Sequence, residues 1–121
     1  MGGVRSFRDL DVYGLAYRLS LDIHKVTLTF PKMEQYALGD QMRRASKSIC
    51  ANIAEGFAKQ RASPAEFRRF LAIAIGSSDE MTVWLDYSRD LGYVDAARTE
   101  VWRDEYAPVS RMLSGLRDSW K

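Results

Sequence analysis

Apolar residues recur at helical spacing along almost the whole chain, and no stretch alternates with the period of a strand. Val12, Leu15, Leu19, Ile23, Val26 and Phe30 step by three and four. This is the seam of a helix packed against antiparallel neighbours, and it predicts a first helix over about 7–30. Pro31 should stop that helix, because the residue before a proline is pushed out of the α region. Gly14, inside it, suggests a close helix contact. Residues 31–38 read as a connection. A second helix is expected over about 40–58, with Gly39 as its N-cap and with Met42, Ala45, Ile49, Asn52, Ile53, Gly56 and Phe57 on the buried side. Ser63-Pro64-Ala65-Glu66 then spells a helix start: serine at the N-cap, proline at N1, glutamate at N3 closing a capping box. The third helix runs over about 64–91 and buries Phe67, Phe70, Leu71, Ala74, Ser78, Met81, Leu85 and Ser88. Gly92 follows as its C′ residue, with Tyr93 set to pack back on the last turn. Asp95 caps a fourth helix over about 96–120, whose apolar side takes Val101, Trp102, Val109, Met112, Leu113, Leu116 and Trp120. Pro108 sits inside it and should kink it or free a carbonyl. Helices of this length joined by short connections make an all-α, antiparallel up-down-up-down four-helix bundle.

The outward faces of the two middle helices depart from an ordinary solvated surface, which carries long polar side chains along its length. On the second helix Arg43, Arg44 and Lys47 are followed by Ala51, Ala54 and Ala58. On the third, Arg68 and Arg69 are followed by Ala72, Gly76, Val83 and Tyr87. Two readings stand side by side: alanine as a good helix former, or small residues that let a helix of another subunit approach.

Length and composition bound the rest. A chain of 121 residues is one domain by length, and 46% hydrophobic with 28% charged residues is ordinary for a folded globular protein. The distribution of charge is more informative. Between Gly39 and Phe70 lie seven basic residues (Arg43, Arg44, Lys47, Lys59, Arg61, Arg68 and Arg69) against Asp40, Glu55 and Glu66. That stretch nets +4 in a chain that nets +2, so the remainder sums to −2. Arginine's planar fork suits phosphate. The seven are therefore the candidate nucleic-acid-binding residues, in one patch at the start of the second helix and another around the turn that follows it. No aromatic residues interleave with them in the pattern of base-stacking platforms.

Catalytic chemistry finds little footing. His24 is the only histidine, in line with Tyr13 and Tyr17, and no motif points to it. Neither the Glu-x-x-His pairs of di-iron bundles nor a glycine-rich phosphate loop is present. The expectation is a non-enzyme with no metal and no cofactor. Cys50, the single cysteine, excludes an internal disulfide and reads as a small packing residue in a reduced, cytoplasmic setting. No run is long and apolar enough to cross a membrane, and no hydrophobic leader opens the chain. The opening MGGVRS fits the loose N-myristoylation pattern, which is common by chance. Asn52, at the edge of the apolar stripe, reads first as a buried amide fixing register between helices and second as a ligand contact. Glu55 could pair with Arg44, with Lys59 or with an arginine of a neighbouring helix. Gly56 in the buried stripe and Gly76 on the outer face complete the structural or interface candidates.

Residues over about 7–93 resemble a known family. They include Phe30-Pro31, Tyr36, Leu38, Gln41-Met42-Arg43-Arg44-Ala45, Ser48-Ile49, Asn52-Ile53-Ala54-Glu55-Gly56, Glu66, Phe70-Leu71, Ile73-Ala74, Gly76-Ser77, Glu80 and Leu91-Gly92-Tyr93. Together these resemble the bacterial four-helix bundles known as 23S rRNA intervening-sequence proteins or S23 ribosomal proteins. Gly39 stands where that family often has threonine, and the last helix is a weaker match. The family is similar to the accessory variability determinant of diversity-generating retroelements, a ring-like pentamer that binds nucleic acid and a reverse transcriptase. What the resemblance implies is a homo-oligomer, a pentamer, built through the small-residue faces of the second and third helices. RNA or DNA would be a partner, and a reverse transcriptase would be one only by that analogy. The competing expectation is an interaction scaffold whose arginines form salt bridges across subunit interfaces, with no nucleic-acid role.

Overall fold

The computed structural model describes residues 4–120; the first three residues, which open the lipidation pattern, lie outside them. The chain forms a 3-10 turn over Phe7–Asp9 and then five helices: α1 (Asp11–Thr27), the short α2 (Lys32–Gln35), α3 (Leu38–Lys59), α4 (Pro64–Asp90) and α5 (Ala96–Ser119). Among the described residues there is no strand. The four long helices pack as an antiparallel bundle in the ring order α1, α3, α4, α5. The α3–α4 pair makes the broadest contact, and α5 closes back on α1.

The first helix is shorter than the periodicity predicts. A capping box closes the 3-10 turn, with the Ser6 amide donating to Asp9 Oδ2 at 3.0 Å, and Leu10 is extended (φ −76°, ψ 126°) before α1 begins. At the other end the helix stops at Thr27, ahead of the proline. Phe30 turns inward as a buried plug, and Pro31 instead caps α2. Gly39 is not an N-cap. Ala37 holds that position, and Gly39 is buried inside the first turn of α3, where a Cβ would stand 3.0 Å from the Glu34 carbonyl oxygen. The missing side chain serves the approach of α2. Gly14 is exposed with open space around it, so the close contact expected there does not form within the protomer.

Both ends of α4 follow their signals, with one difference. Ser63 Oγ accepts from the Glu66 amide at 3.2 Å, but the Glu66 carboxylate turns to Arg69, so the box is only half formed. After α4, Gly92 adopts φ +80°; its amide reaches the Arg89 carbonyl and the Tyr93 amide the Ser88 carbonyl, which is a Schellman closure. Tyr93 leaves its own helix end for the α1–α2 corner, its ring tilted against Phe30 at 5.2 Å and its hydroxyl donating to Glu34 at 2.7 Å. Pro108 lies inside a continuous α5.

The core runs the length of the bundle through Leu19, Ile23, Met42, Ile49, Ile53, Phe67, Leu71, Met81, Leu85, Tyr106, Val109 and Leu113, all fully buried. Each such aliphatic or aromatic side chain contributes about 1.5–3 kcal/mol. On α5 the buried stripe is Thr99, Trp102, Tyr106, Val109 and Leu113; Val101 and Met112, expected inside, are exposed. Outer ion pairs stitch α5 to its neighbours: Arg18 of α1 to Glu105, and Arg103 to Asp86 of α4.

Candidate functional site

The sequence places Arg43, Arg44 and Lys47 in one patch, and the packing divides them. Residues 43 and 47 are one helical turn apart and turn toward α1, whereas residue 44 lies about 100° further round. The Arg43 guanidinium donates from Nη1 to Thr27 Oγ1 at 2.8 Å and from Nη2 to the Gln35 carbonyl at 2.5 Å, tying α3 to the corner that follows α1. Lys47 Nζ stands 3.0 Å from His24 Nδ1. The Lys47 charge, with some burial and the charge of Arg43, holds His24 below the usual imidazole range. Arg44 takes the opposite flank. It is 74% exposed, with the Asp40 carboxylate only at the edge of ion-pair range (3.9 Å). With Gln41, Ser48, Ser77 and Glu80 it lines a hollow of about 280 Å³ between α3 and α4.

The second patch stays at one end of the α3–α4 pair, and two of its four residues meet there. Lys59 ends α3, Arg61 sits in the turn, and Arg68 and Arg69 lie in the first turns of α4. The Phe70 ring lies beneath two of them, with the Arg69 guanidinium 4.6 Å and Lys59 Nζ 5.9 Å from its centroid. Being buried, that ring is no platform for a base. Arg69 is spent on Glu66 through two bonds of 3.0 and 3.3 Å, which hold the carboxyl below its ordinary range. Lys59, Arg61 and Arg68 are exposed and, among the described residues, have no carboxylate within 4.0 Å. Arg44 and Lys59 lie fifteen residues apart on α3, a separation of about 22 Å along the axis.

The polar and small candidates divide too. Asn52 does not cross to another helix: its amide donates to the carbonyl (2.8 Å) and hydroxyl (3.0 Å) of Ser48 on its own helix. The crossing is made by Ser48 Oγ with Ser77 Oγ of α4 at 3.0 Å, a link that sequence reasoning missed. Glu55 is exposed and pairs with neither Arg44 nor Lys59. At Gly56 a Cβ would stand 2.8 Å from Phe70 Cβ and 2.9 Å from Phe67 Cδ1, so α4 packs directly on the α3 backbone. Around Gly76 there is open space on the outer face.

That outer face is more apolar than its alanines suggest. Tyr36 (77% exposed), Tyr87 and Leu91 join Trp84, Leu38 and Gln41 around a groove of about 380 Å³. Val83 and Ile73 extend the exposed surface along α4. Trp84 and Tyr87, three apart, are visible in the sequence as a helical pair; their meeting with Tyr36 depends on how the α1–α3 connection folds back. Among the described residues no cluster of His, Cys, Asp and Glu could hold a metal ion, and no helix is long and apolar enough to cross a membrane.

Comparison with known proteins gives the family. No curated protein matches this chain closely enough to count as a relative. A crystal structure of a protein of unknown function from the S23 ribosomal protein family of Bacteroides thetaiotaomicron shares the fold, with a TM-score of 0.79 at 21% identity, over 89% of this chain and 96% of that one. The family profile described as 23S rRNA-intervening sequence protein matches residues 8–115, which takes in most of the weakly resembling last helix. With nearly the whole bundle inside that match, the chain belongs to the 23S rRNA-intervening sequence protein family.

Proposed function

We propose that this protein is a non-enzymatic, homo-oligomeric bundle that holds RNA or DNA by phosphate contacts. The basic side chains of the α3–α4 turn make them, with Arg44 and Lys47 on the two flanks of α3. The observation that carries the reading is the state of Lys59, Arg61 and Arg68: exposed, at the same end of the α3–α4 pair, and without a carboxylate within 4.0 Å among the described residues. Unpaired cations on one end of a helix pair release counterions on meeting a polyanion, and that release drives sequence-independent binding. The family's association with 23S rRNA intervening sequences favours RNA as the first ligand to try. Assembly follows from the outer face of α3 and α4. Tyr36, Ile73, Val83, Tyr87 and Leu91 stand exposed beside Ala51, Ala58, Ala72 and Gly76, an apolar, small-residue surface of the kind that marks an interaction site. The pentamer implied by the resemblance is the expected state.

The test is solution mass, followed by binding of a labelled structured RNA at two salt concentrations. Reversing Arg61 and Arg68 to glutamate should weaken binding and flatten the salt dependence by about 0.7–0.9 logarithmic units for each phosphate no longer neutralised. Unchanged affinity in an intact oligomer refutes the assignment. Arg44 beside the apolar face supplies the competing scaffold reading. If Arg44→Glu dissociates the oligomer while RNA binding was never present, the arginines hold subunits together instead.

A further inference from the structure

Sequence alone makes His24 a structural histidine, and the phosphate-contact reading leaves it out. Its surroundings are unusual. Lys47 Nζ lies 3.0 Å from Nδ1, and one turn back on α3 the Arg43 guanidinium is fixed by Thr27 Oγ1 and the Gln35 carbonyl. The charged groups acting on the imidazole are Lys47 and Arg43, both from α3. On its own helix Lys25 follows it, and Asp22 pairs with Arg18 at 3.5 Å on another side. The α5 carboxylate nearest that helix, Glu105, is engaged by the same arginine. From α2 and the chain around it the corner receives a carbonyl oxygen, which Arg43 already occupies. Three basic side chains therefore converge without a carboxylate within 4.0 Å among the described residues, and one of them is an imidazole that the Lys47 charge, some burial and the Arg43 charge hold below its usual range.

We propose that His24, Lys47 and Arg43 form a phosphate site on the α1–α3 flank, and that His24 takes up one proton when a phosphodiester binds there. The inference rests on the nucleic-acid reading above for the source of the phosphate. In the free protein the Lys47 ammonium donates to the Nδ1 lone pair, which fixes the neutral imidazole with its proton on Nε2. An arriving phosphate oxygen takes that Lys47 N–H instead. Nδ1, released, binds one proton from solvent and donates to a second phosphate oxygen. Nothing else is transferred. Arg43 is already held, so its charge is in place before the ligand arrives. The sign follows: the bound state holds His24 protonated to higher pH than the free state, so affinity rises as pH falls.

The readout is unusually clean, because the chain has one histidine. Its imidazole protons in tag-free protein are followed by NMR across pH, alone, with inorganic pyrophosphate, and with a saturating single-stranded oligonucleotide. The oligonucleotide should raise the His24 titration midpoint, and affinity should tighten about tenfold for each pH unit of that rise between about pH 8 and pH 5.5, where histidine alone among ordinary side chains titrates. His24→Gln can still accept from Lys47 but cannot gain the proton. It should match the parent near pH 8 and lose the pH dependence, and salt-sensitive binding that leaves the His24 midpoint unmoved overturns the inference while the nucleic-acid reading stands. A midpoint raised by pyrophosphate and not by the oligonucleotide makes a small phosphate the ligand and overturns the coupling to nucleic acid. Binding to neither probe overturns both.

Discussion

Gly56→Ala sets two effects of opposite sign against each other. In an exposed helix position the change stabilises by about 1 kcal/mol through helix propensity. Here the new Cβ would stand 2.8 Å from Phe70 Cβ, 2.9 Å from Phe67 Cδ1 and 3.3 Å from the Phe67 carbonyl oxygen. Phe70 Cβ is anchored to the α4 backbone and no rotamer moves it. The Phe67 ring is fully buried, edge-on to Trp120 at 4.9 Å and to Phe57 at 6.1 Å. Ordinary carbon contact of about 3.5 Å then requires α3 and α4 to part by about 0.7 Å, and gaps of that size forfeit roughly a quarter to a half of each dispersion contact they open. Overpacking of this kind costs about 1–3 kcal/mol, and immovable neighbours put it at the upper end. The net expectation is destabilisation by about 2 kcal/mol after the helix gain is deducted. Gly14→Ala supplies the control, since nothing lies within 4 Å of its added Cβ; it should stabilise by about 1 kcal/mol. Urea titrations at one fixed protein concentration, compared at unchanged m, separate the two variants by their midpoints. Midpoints that move in the same direction would refute the account of helix approach.

Two further outcomes follow from buried groups. Tyr106 is fully buried and its hydroxyl has no hydrogen-bond partner among the described residues; burial pushes its pKa up, and Tyr106→Phe should be neutral to stabilising by about 1–3 kcal/mol; a thermal midpoint that falls would reveal a partner for that hydroxyl. Cys50 is buried and its thiol is pushed up to about 11 by desolvation. The folded pKa is raised, so the thiol's contribution to stability is intact below the unfolded value of about 8.5 and is lost as pH climbs through the folded one. Labelling by a thiol reagent at neutral pH should accordingly be slow in the native protein and fast in denaturant, and rapid native labelling would contradict the burial.

Much of the molecule is legible in the residue order alone: the long helices, the Ser63 and Asp95 caps, the Gly92 stop, most of the core stripe of α3 and the family motif. Those are local properties. A 3.6-residue period ranks positions around one helix axis, and a cap needs only its next few residues. Which helix stands opposite a given face is set by the packing of the whole bundle. That is why Gly14 and Gly56, indistinguishable as interior helix glycines, end in open space and in the tightest approach of α3 to α4. The basic residues divided for the same reason. Adjacent in sequence, Arg43 and Arg44 diverge by about 100°, so one is anchored at the α1–α2 corner while the other stays exposed on the α4 side. Even His24 acquires its two cationic neighbours only when α1 is laid against α3, because a residue's electrostatic surroundings are assembled from chain segments that sequence order keeps apart.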